Sequence, residues 1–454
     1  MKESNNRKVA IIGAGLTGLA TGFYLQKAGI AFKIFEKSGH PGGVIQTHQE
    51  NGFTFESGPN TGVLSRPEAA ELLEDLKNDC KLEIADETAK ARWIWKKNKW
   101  ESLPSGLIKG VTTPLFSFSD KLRLLVEPFR KRGDDPDETL ARLVLRRMGK
   151  SFLNYAIDPF ILGIYSGDPA KLVTQYAFPK LYRLEQDYGS FIGGAIKKAM
   201  ESKDEREKKA TKDIFSVEGG LGNLIKALVK NTGEENIELN STDLSFKKKG
   251  DKFIVNKGEE EFSEVISTTG GYELGNLFPF IDKKNIDAIS LMQYSKVVQV
   301  ALGFKKWEGT ELKAFGGLVP FIEQRRILGV LFISSFLKGK APDQGALLSV
   351  FMGGTRKPGM SDLPDDEIIR IVEEELKEML KIKEFNPDLL KIFRYEHAIP
   401  QYSFESGNKL KTISELEARH PGLILAGNIR DGIGIADRIK QGKITATRII
   451  SGDR

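Results

Sequence analysis

Apolar residues in this chain come in short runs, and two of the runs, one near each end, break into glycine. Near the start, Val9–Ile12 lead into Gly13, Gly15 and Gly18. The stretch LTGLATGFYLQKAG follows with helical spacing, and AFKIFE closes it as a second apolar run ending at Glu36. This pattern predicts strand, tight turn, helix and strand. Near the other end, Leu423–Ala426 run into Gly427, Gly432 and Gly434 and then into the helical pattern IADRIKQGKITATRII. Between these ends the periodicity changes twice. ETLARLVLRRMGKSFLNYAI has three- and four-residue spacing and predicts a mostly helical region over about 95–200. GGLGNLIKALVK predicts a further helix, and NIELN, LSFKKK, KFIVNK and EVISTT predict short strands. KVVQVALGF, ILGVLFISSF and ALLSVFMGG then predict a sheet, with a helix over Asp365–Leu380 beside it. The alternation is that of an α/β chain.

The first glycine run has a physical reading. Gly13 permits a tight turn, Gly15 lets backbone approach a pyrophosphate, and Gly18 lets the helix lie close to the strand. Between them, Ala14, Leu16 and Thr17 place the free N–H groups and positive end of the helix at the turn, where phosphate is favoured. Glu36, about 20 residues on, stands where a carboxylate accepts hydrogen bonds from an adenosine ribose. A second glycine pair, Gly42 and Gly43, and the turn Gly58-Pro59-Asn60-Thr61 suggest a cofactor lying along more of the chain than NAD does. Taken alone, those turns read equally well as hairpins. The C-terminal run decides in favour of FAD. Its closing strand and helix would return to the first unit and aim a second helix N-terminus at the same cofactor, where negative charge on a reduced flavin is stabilised.

Composition narrows the chemistry. The chain has 454 residues, too many for one simple core, so two or three lobes are expected. The single cysteine, Cys80, excludes an intrachain disulfide, and the four histidines (His40, His48, His397, His420) show no metal-ligand spacing. No Ser/His/Asp set and no recognisable pair of catalytic carboxylates occurs, so no catalytic side chain is assigned. The opening MKESNNRK is polar and runs straight into the first strand, which leaves no room for a secretion signal, and no apolar run reaches the ~18 residues that span a bilayer. Pro104–Gly133 sets six cations (Lys109, Lys121, Arg123, Arg130, Lys131, Arg132) against Asp120 and Glu127 in a chain of net charge +6, with Leu107, Ile108, Phe116, Phe118, Leu122, Leu125 and Phe129 interleaved. That mixture suits either a lobe with its own core or a surface resting on anionic lipid. The expectation is a cytoplasmic protein, peripheral on the cytoplasmic membrane face. Nucleic acid is a poor partner, since no reading motif is present.

The chain resembles the FAD-dependent amine-oxidase superfamily and, within it, the oxygen-dependent protoporphyrinogen oxidases. The resemblance rests on IDPFILGIYSGDPAKL (Ile157–Leu172), AFPKLYRLEQDYGSFIGGAIK (Ala177–Lys197), FSVEGGLGNLIKAL (Phe215–Leu228), AFGGLVP (Ala314–Pro320), HAIPQY (His397–Tyr402) and LAGN (Leu425–Asn428). Where the superfamily usually continues the second glycine pair with arginine this chain has Val44, as those oxidases tend to. The resemblance implies an FAD-binding Rossmann-like domain (1–77, 212–270 and 408–454) interleaved with a mixed-sheet substrate domain (78–94 and 271–407) and a helical, membrane-contacting lobe (95–211). It adds Lys37, Asp243, Asn428 and Ile433 to the cofactor contacts. It also implies a substrate site in which Arg92 pairs with a propionate, Leu318, Leu331 and Phe351 touch the macrocycle, and the carbonyl of Gly163 faces the pyrroles. The implied reaction is oxidation of protoporphyrinogen IX by dioxygen, with coproporphyrinogen III as the alternative substrate. More distant readings are an amine oxidase, a carotenoid desaturase, or a porphyrin-binding flavoprotein without turnover. Ferrochelatase and a second copy of the chain are further implied partners.

Overall fold

The structure is a computed structural model and describes residues 7–104, 112–202, 204–256 and 260–452. The first glycine run folds as its pattern predicts. Strand β1 (Lys8–Ile12), helix α1 (Leu16–Lys27) and strand β2 (Ala31–Phe35) open a five-stranded parallel sheet. Its order is Ile237–Glu238, β2, β1, Glu264–Ser267 and Leu423–Leu425, so the middle and the end of the chain both return beside β1. The final helix, Ile435–Ser451, packs on α1 through Gly442, where a Cβ would stand 2.7 Å from the Cβ of Ala20. A larger residue there would push the two helices apart.

The second layer is a seven-stranded mixed sheet. Long strands Tyr294–Phe304, Ala346–Gly353 and Leu389–Pro400 pair antiparallel, and their apolar faces close over the helix Asp365–Leu380 around Val298, Val300, Val350 and Leu376. Two expectations are corrected here. ILGVLFISSF is strand only over Ile327–Leu331; Ile333–Phe336 turn into a helix, which buries Ile333 and Phe336 and places Ser335 Oγ on the carbonyls of Ala314 and Phe332. The boundary expected at 94/95 falls inside the strand Trp93–Lys96, which pairs on to Lys99–Ser102 as the edge hairpin of this sheet. The hairpin is held there by Trp95 and Trp100, whose rings meet edge-on at 4.9 Å.

The remaining lobe is built of short helices from Phe118 to Lys208. Its organising contact is the fully buried pair Arg147–Glu127, extended by Glu185. Glu127 also accepts the N–H groups of Phe191 and Ile192, capping the helix Phe191–Met200 with a negative charge. Of the basic, apolar stretch read from the sequence, Leu107, Ile108 and Lys109 lie outside the described residues. Among the described residues no helix is long and apolar enough to cross a membrane.

Candidate functional site

One cavity of about 1780 Å³ runs from the carboxyl ends of the parallel strands to the face of the mixed sheet. Pockets for a single drug-sized ligand measure roughly 300–1,000 Å³, so this one has room for a dinucleotide and a second molecule end to end.

The nucleotide end is made of backbone. Gly13 has φ +99° and donates its N–H to Phe35 O at 2.7 Å, which locks the turn across β1 and β2. A Cβ on Gly18 would lie 2.0 Å from Gly13 O, so helix and turn touch only because it is glycine. A Cβ on Gly15 would meet nothing within 4 Å, because that residue faces open cavity. Glu36 accepts the N–H of Ala14 at 2.7 Å with one oxygen and the N–H and hydroxyl of Ser38 with the other. It therefore stands at the mouth of the turn, already oriented.

Of the residues expected at the cofactor, Gly13, Gly15, Leu16, Thr17, Glu36, Lys37, Gly42, Gly43, Val44, Gly58, Pro59, Asn60, Thr61, Asp243, Gly427, Asn428, Ile433 and Gly434 line this cavity. Three do not. Ala14 is buried behind the turn, Gly18 lies beneath it, and Gly432 sits where a Cβ would meet the carboxylate of Asp437 at 2.6 Å. These three shape the walls without forming them. The two helix N-termini, at Gly15 and Gly434, both open onto the cavity, and Thr17 Oγ1 reaches Arg438 O at 3.4 Å between them. Backbone donors, unfilled glycine faces and a placed carboxylate fit FAD.

Sequence reasoning missed several lining residues. Gln299 is buried and holds the Gly58 turn: its carbonyl accepts Gly58 N–H at 3.0 Å while its amide donates to Glu56 O and Ser349 Oγ. A lone polar residue in the apolar run KVVQVALGF was the available signal. Thr268 donates to Ile12 O and Gly13 O, tying the strand Glu264–Ser267 to the glycine turn. Tyr272 stacks on His397 at 4.1 Å, with Tyr395 nearby on the wall and pushed up to about 12 by burial. Nothing in the linear pattern brings those three together.

At the far end the expected substrate residues converge: Arg92, Gly163, Leu318, Leu331 and Phe351 all line the cavity. Leu318 and Leu331 sit on paired strands, and Leu331 neighbours the strand carrying Phe351. Arg92 lies 5.6 Å from the centre of the Phe315 ring, and among the described residues no carboxylate pairs with it. Burial pushes its guanidinium below the ordinary arginine value. A desolvated, unpaired cation on a cavity wall is a place for a ligand anion.

Comparison with known proteins agrees with this geometry. The pattern of the family described as flavin containing amine oxidoreductase matches residues 16–450. The protoporphyrinogen oxidase, mitochondrial, of Nicotiana tabacum is 29% identical over 99% of this chain and 96% of its own length. The coproporphyrinogen III oxidase of Staphylococcus aureus is 30% identical over 98% of this chain and 99% of its own. A crystal structure from Exiguobacterium sp. 255-15 superposes with a TM-score of 0.82 at 20% identity, over 99% of this chain and 100% of that one. FAD is accordingly the cofactor of this fold, and the chain belongs to the flavin-containing amine oxidoreductase family.

Proposed function

We propose that the chain oxidises protoporphyrinogen IX to protoporphyrin IX, removing six electrons in three two-electron turns while dioxygen is taken to hydrogen peroxide. Bound FAD supplies the hydride acceptor. The protein's share is positioning and exclusion of water. Leu318, Leu331 and Phe351 offer an apolar wall for a macrocycle, and Arg92 offers one cation for its carboxylate edge. The observation that carries this choice is the count of cations. Among the described residues, Lys37, Arg92 and Arg438 line the cavity. Lys37 pairs with Glu273 beside the nucleotide turn, and Arg438 donates to Arg430 O and Gln441 Oε1 behind the C-terminal glycine loop. Arg92 is left alone at the substrate end, which suits a porphyrinogen with two propionates better than one with four. The Staphylococcus relative keeps coproporphyrinogen III as the second reading. Porphyrin fluorescence followed after offering both porphyrinogens to the purified protein decides it: a higher kcat/KM on protoporphyrinogen is expected, and the reverse preference overturns the choice.

We also propose that the helical lobe rests on anionic lipid. The helix Phe118–Leu125 buries none of its residues, and Phe118 and Phe129 are 76% and 88% exposed beside the exposed cations Lys131 and Arg132. Replacing Phe118 and Phe129 by serine should cut binding to anionic vesicles about tenfold or more, given roughly 1.5–3 kcal/mol per buried aromatic. Equal binding by both proteins in a flotation assay would remove the membrane from this reading.

A further inference from the structure

We propose that the buried pair Asp158–Arg356 is a positioning device that sets the gap between the helix Asp158–Tyr165 and the mixed sheet, and so the width of the substrate slot. The inference rests on the porphyrinogen reading above. That helix carries Phe160, Leu162, Gly163 and Ile164 along the cavity wall. It packs tightly on the sheet at Gly163, where a Cβ would stand 2.9 Å from Leu318 Cδ2. The fit tolerates little movement. Apolar packing of Ile161 and Tyr165 holds the helix down but does not fix where it lies along the sheet. Polar contacts do: Tyr165 Oη donates to Ala177 O at 2.8 Å and Gln401 Nε2 donates to Tyr165 O at 2.9 Å, and the remaining contacts come from the sheet side. At the N-terminal end, Asp158 accepts Phe321 N–H at 2.8 Å and Arg356 Nη2 at 2.5 Å. At the C-terminal end, Thr355 N–H donates to Ser166 O at 2.8 Å. Adjacent residues Thr355 and Arg356, just beyond the strand that carries Phe351, thus hold both ends of the helix. The side chains of Asp158 and Arg356 are 8% and 16% exposed, and the guanidinium lies 4.1 Å from the centre of the Phe321 ring.

Substrate sits against Gly163 and Leu318 in ground and transition states alike, so a misplaced helix should act mainly through binding. Asp158→Asn should raise KM for protoporphyrinogen five- to twentyfold with kcat within about twofold of wild type. The flavin spectrum and FAD content should stay the same. The double change Asp158→Asn with Arg356→Gln leaves neither charge stranded and keeps the protein folded if the single change does not; it should show the same rise in KM. Quenching of protein fluorescence by protoporphyrin IX should weaken in step. Wild-type KM and unchanged porphyrin binding in the double variant, with wild type active, would overturn the positioning role alone. A wild-type protein that turns over no porphyrinogen would overturn the functional reading, and this inference with it.

Discussion

The two ends of the cavity are built on different principles. The nucleotide end is made by main chain: glycines that let a helix, a turn and a strand touch, and two helix N-termini that open onto one space. Side chains there mostly brace backbone, as Glu36 braces Ala14 and Gln299 braces Gly58. The substrate end is made by side chains carried in from an edge hairpin, a short helix and three sheet strands, far apart in sequence. At Gly18 and Gly58 the first end has no room for an added atom. The second tolerates a changed atom and answers in affinity. Site-by-site substitution should therefore give two kinds of failure.

The most severe failure is expected at Gly18. A Cβ there would overlap Gly13 O at 2.0 Å, and that atom is backbone that cannot rotate away. Gly18→Ala should displace the turn and give protein without bound FAD, read as loss of the visible flavin absorbance after purification. A yellow Gly18→Ala protein with normal FAD content would show that the nucleotide end is more pliable than the geometry allows.

The same division explains what the sequence could show. Backbone requirements write themselves into local patterns, because only glycine satisfies a φ near +100° or a contact as close as that at Gly18. Hence Gly13, Gly42, Gly58 and Gly427, with φ between +85° and +103°, were legible from spacing. Arg92, Gly163, Leu318, Leu331 and Phe351 have no such signature. Spacing alone makes them an arginine beside a hairpin, a helical glycine and core strand residues, and it was resemblance that singled them out. The stacking of Tyr272 on His397 joins positions more than a hundred residues apart, which no local period encodes. The helix at Ile333–Phe336 was missed for a related reason: tertiary burial of its apolar residues overrode a β-like run.

Two desolvated cations sharpen the contrast. Arg92 lies on the cavity, where a ligand carboxylate can meet it. Lys409 lies off it, 2% exposed, with its ammonium over the Tyr402 ring and beside Met292 Sδ, and among the described residues it has no carboxylate partner. Tyr402 in turn bonds Asn428 O and Gly432 O of the C-terminal glycine loop. Burial lowers Lys409 from 10.5 to about 8. Between those values the unfolded chain holds the extra proton, so the native state gains stability as pH rises from about 8 to 10.5. Lys409→Met should therefore stabilise the protein at pH 7 by about 3 kcal/mol, and by much less near pH 10. Urea denaturation of both proteins across pH 7–10 checks this. A difference that does not shrink with pH would mean that Lys409 is not desolvated in solution.

Arg92 should behave in the opposite sense, because its proposed partner is the substrate carboxylate. Arg92→Ala should raise KM for protoporphyrinogen much more than it lowers kcat, since a carboxylate contact away from the reacting carbon is shared by ground and transition states. Loss of a charge-assisted hydrogen bond suggests about 1–3 kcal/mol, or roughly five- to hundredfold in kcat/KM. FAD content should be normal, which separates this failure from that of Gly18. An unchanged KM in steady-state kinetics would make Arg92 part of the wall and reopen the choice of porphyrinogen.

The smallest effect is expected where a side chain serves the backbone end. Glu36 has two carboxylate oxygens in use, on Ala14 N–H and on Ser38, and it is the residue proposed to meet the adenosine ribose. Glu36→Gln keeps one acceptor oxygen and replaces the other with a donor amide. That amide faces Ala14 N–H or Ser38 N–H, donor against donor, so one contact to the turn is lost while the glycines that shape it remain. A hydrogen bond to a charged group contributes roughly 1.5–3 kcal/mol, and half of that pairing survives, so FAD affinity should fall about tenfold. Fluorescence titration of the apoprotein with FAD reads this directly. The same titration with FMN, which carries no adenosine ribose, should barely distinguish the variant from wild type. If FMN binding falls as far as FAD binding, Glu36 acts only by holding Ala14, and the nucleotide end is backbone throughout.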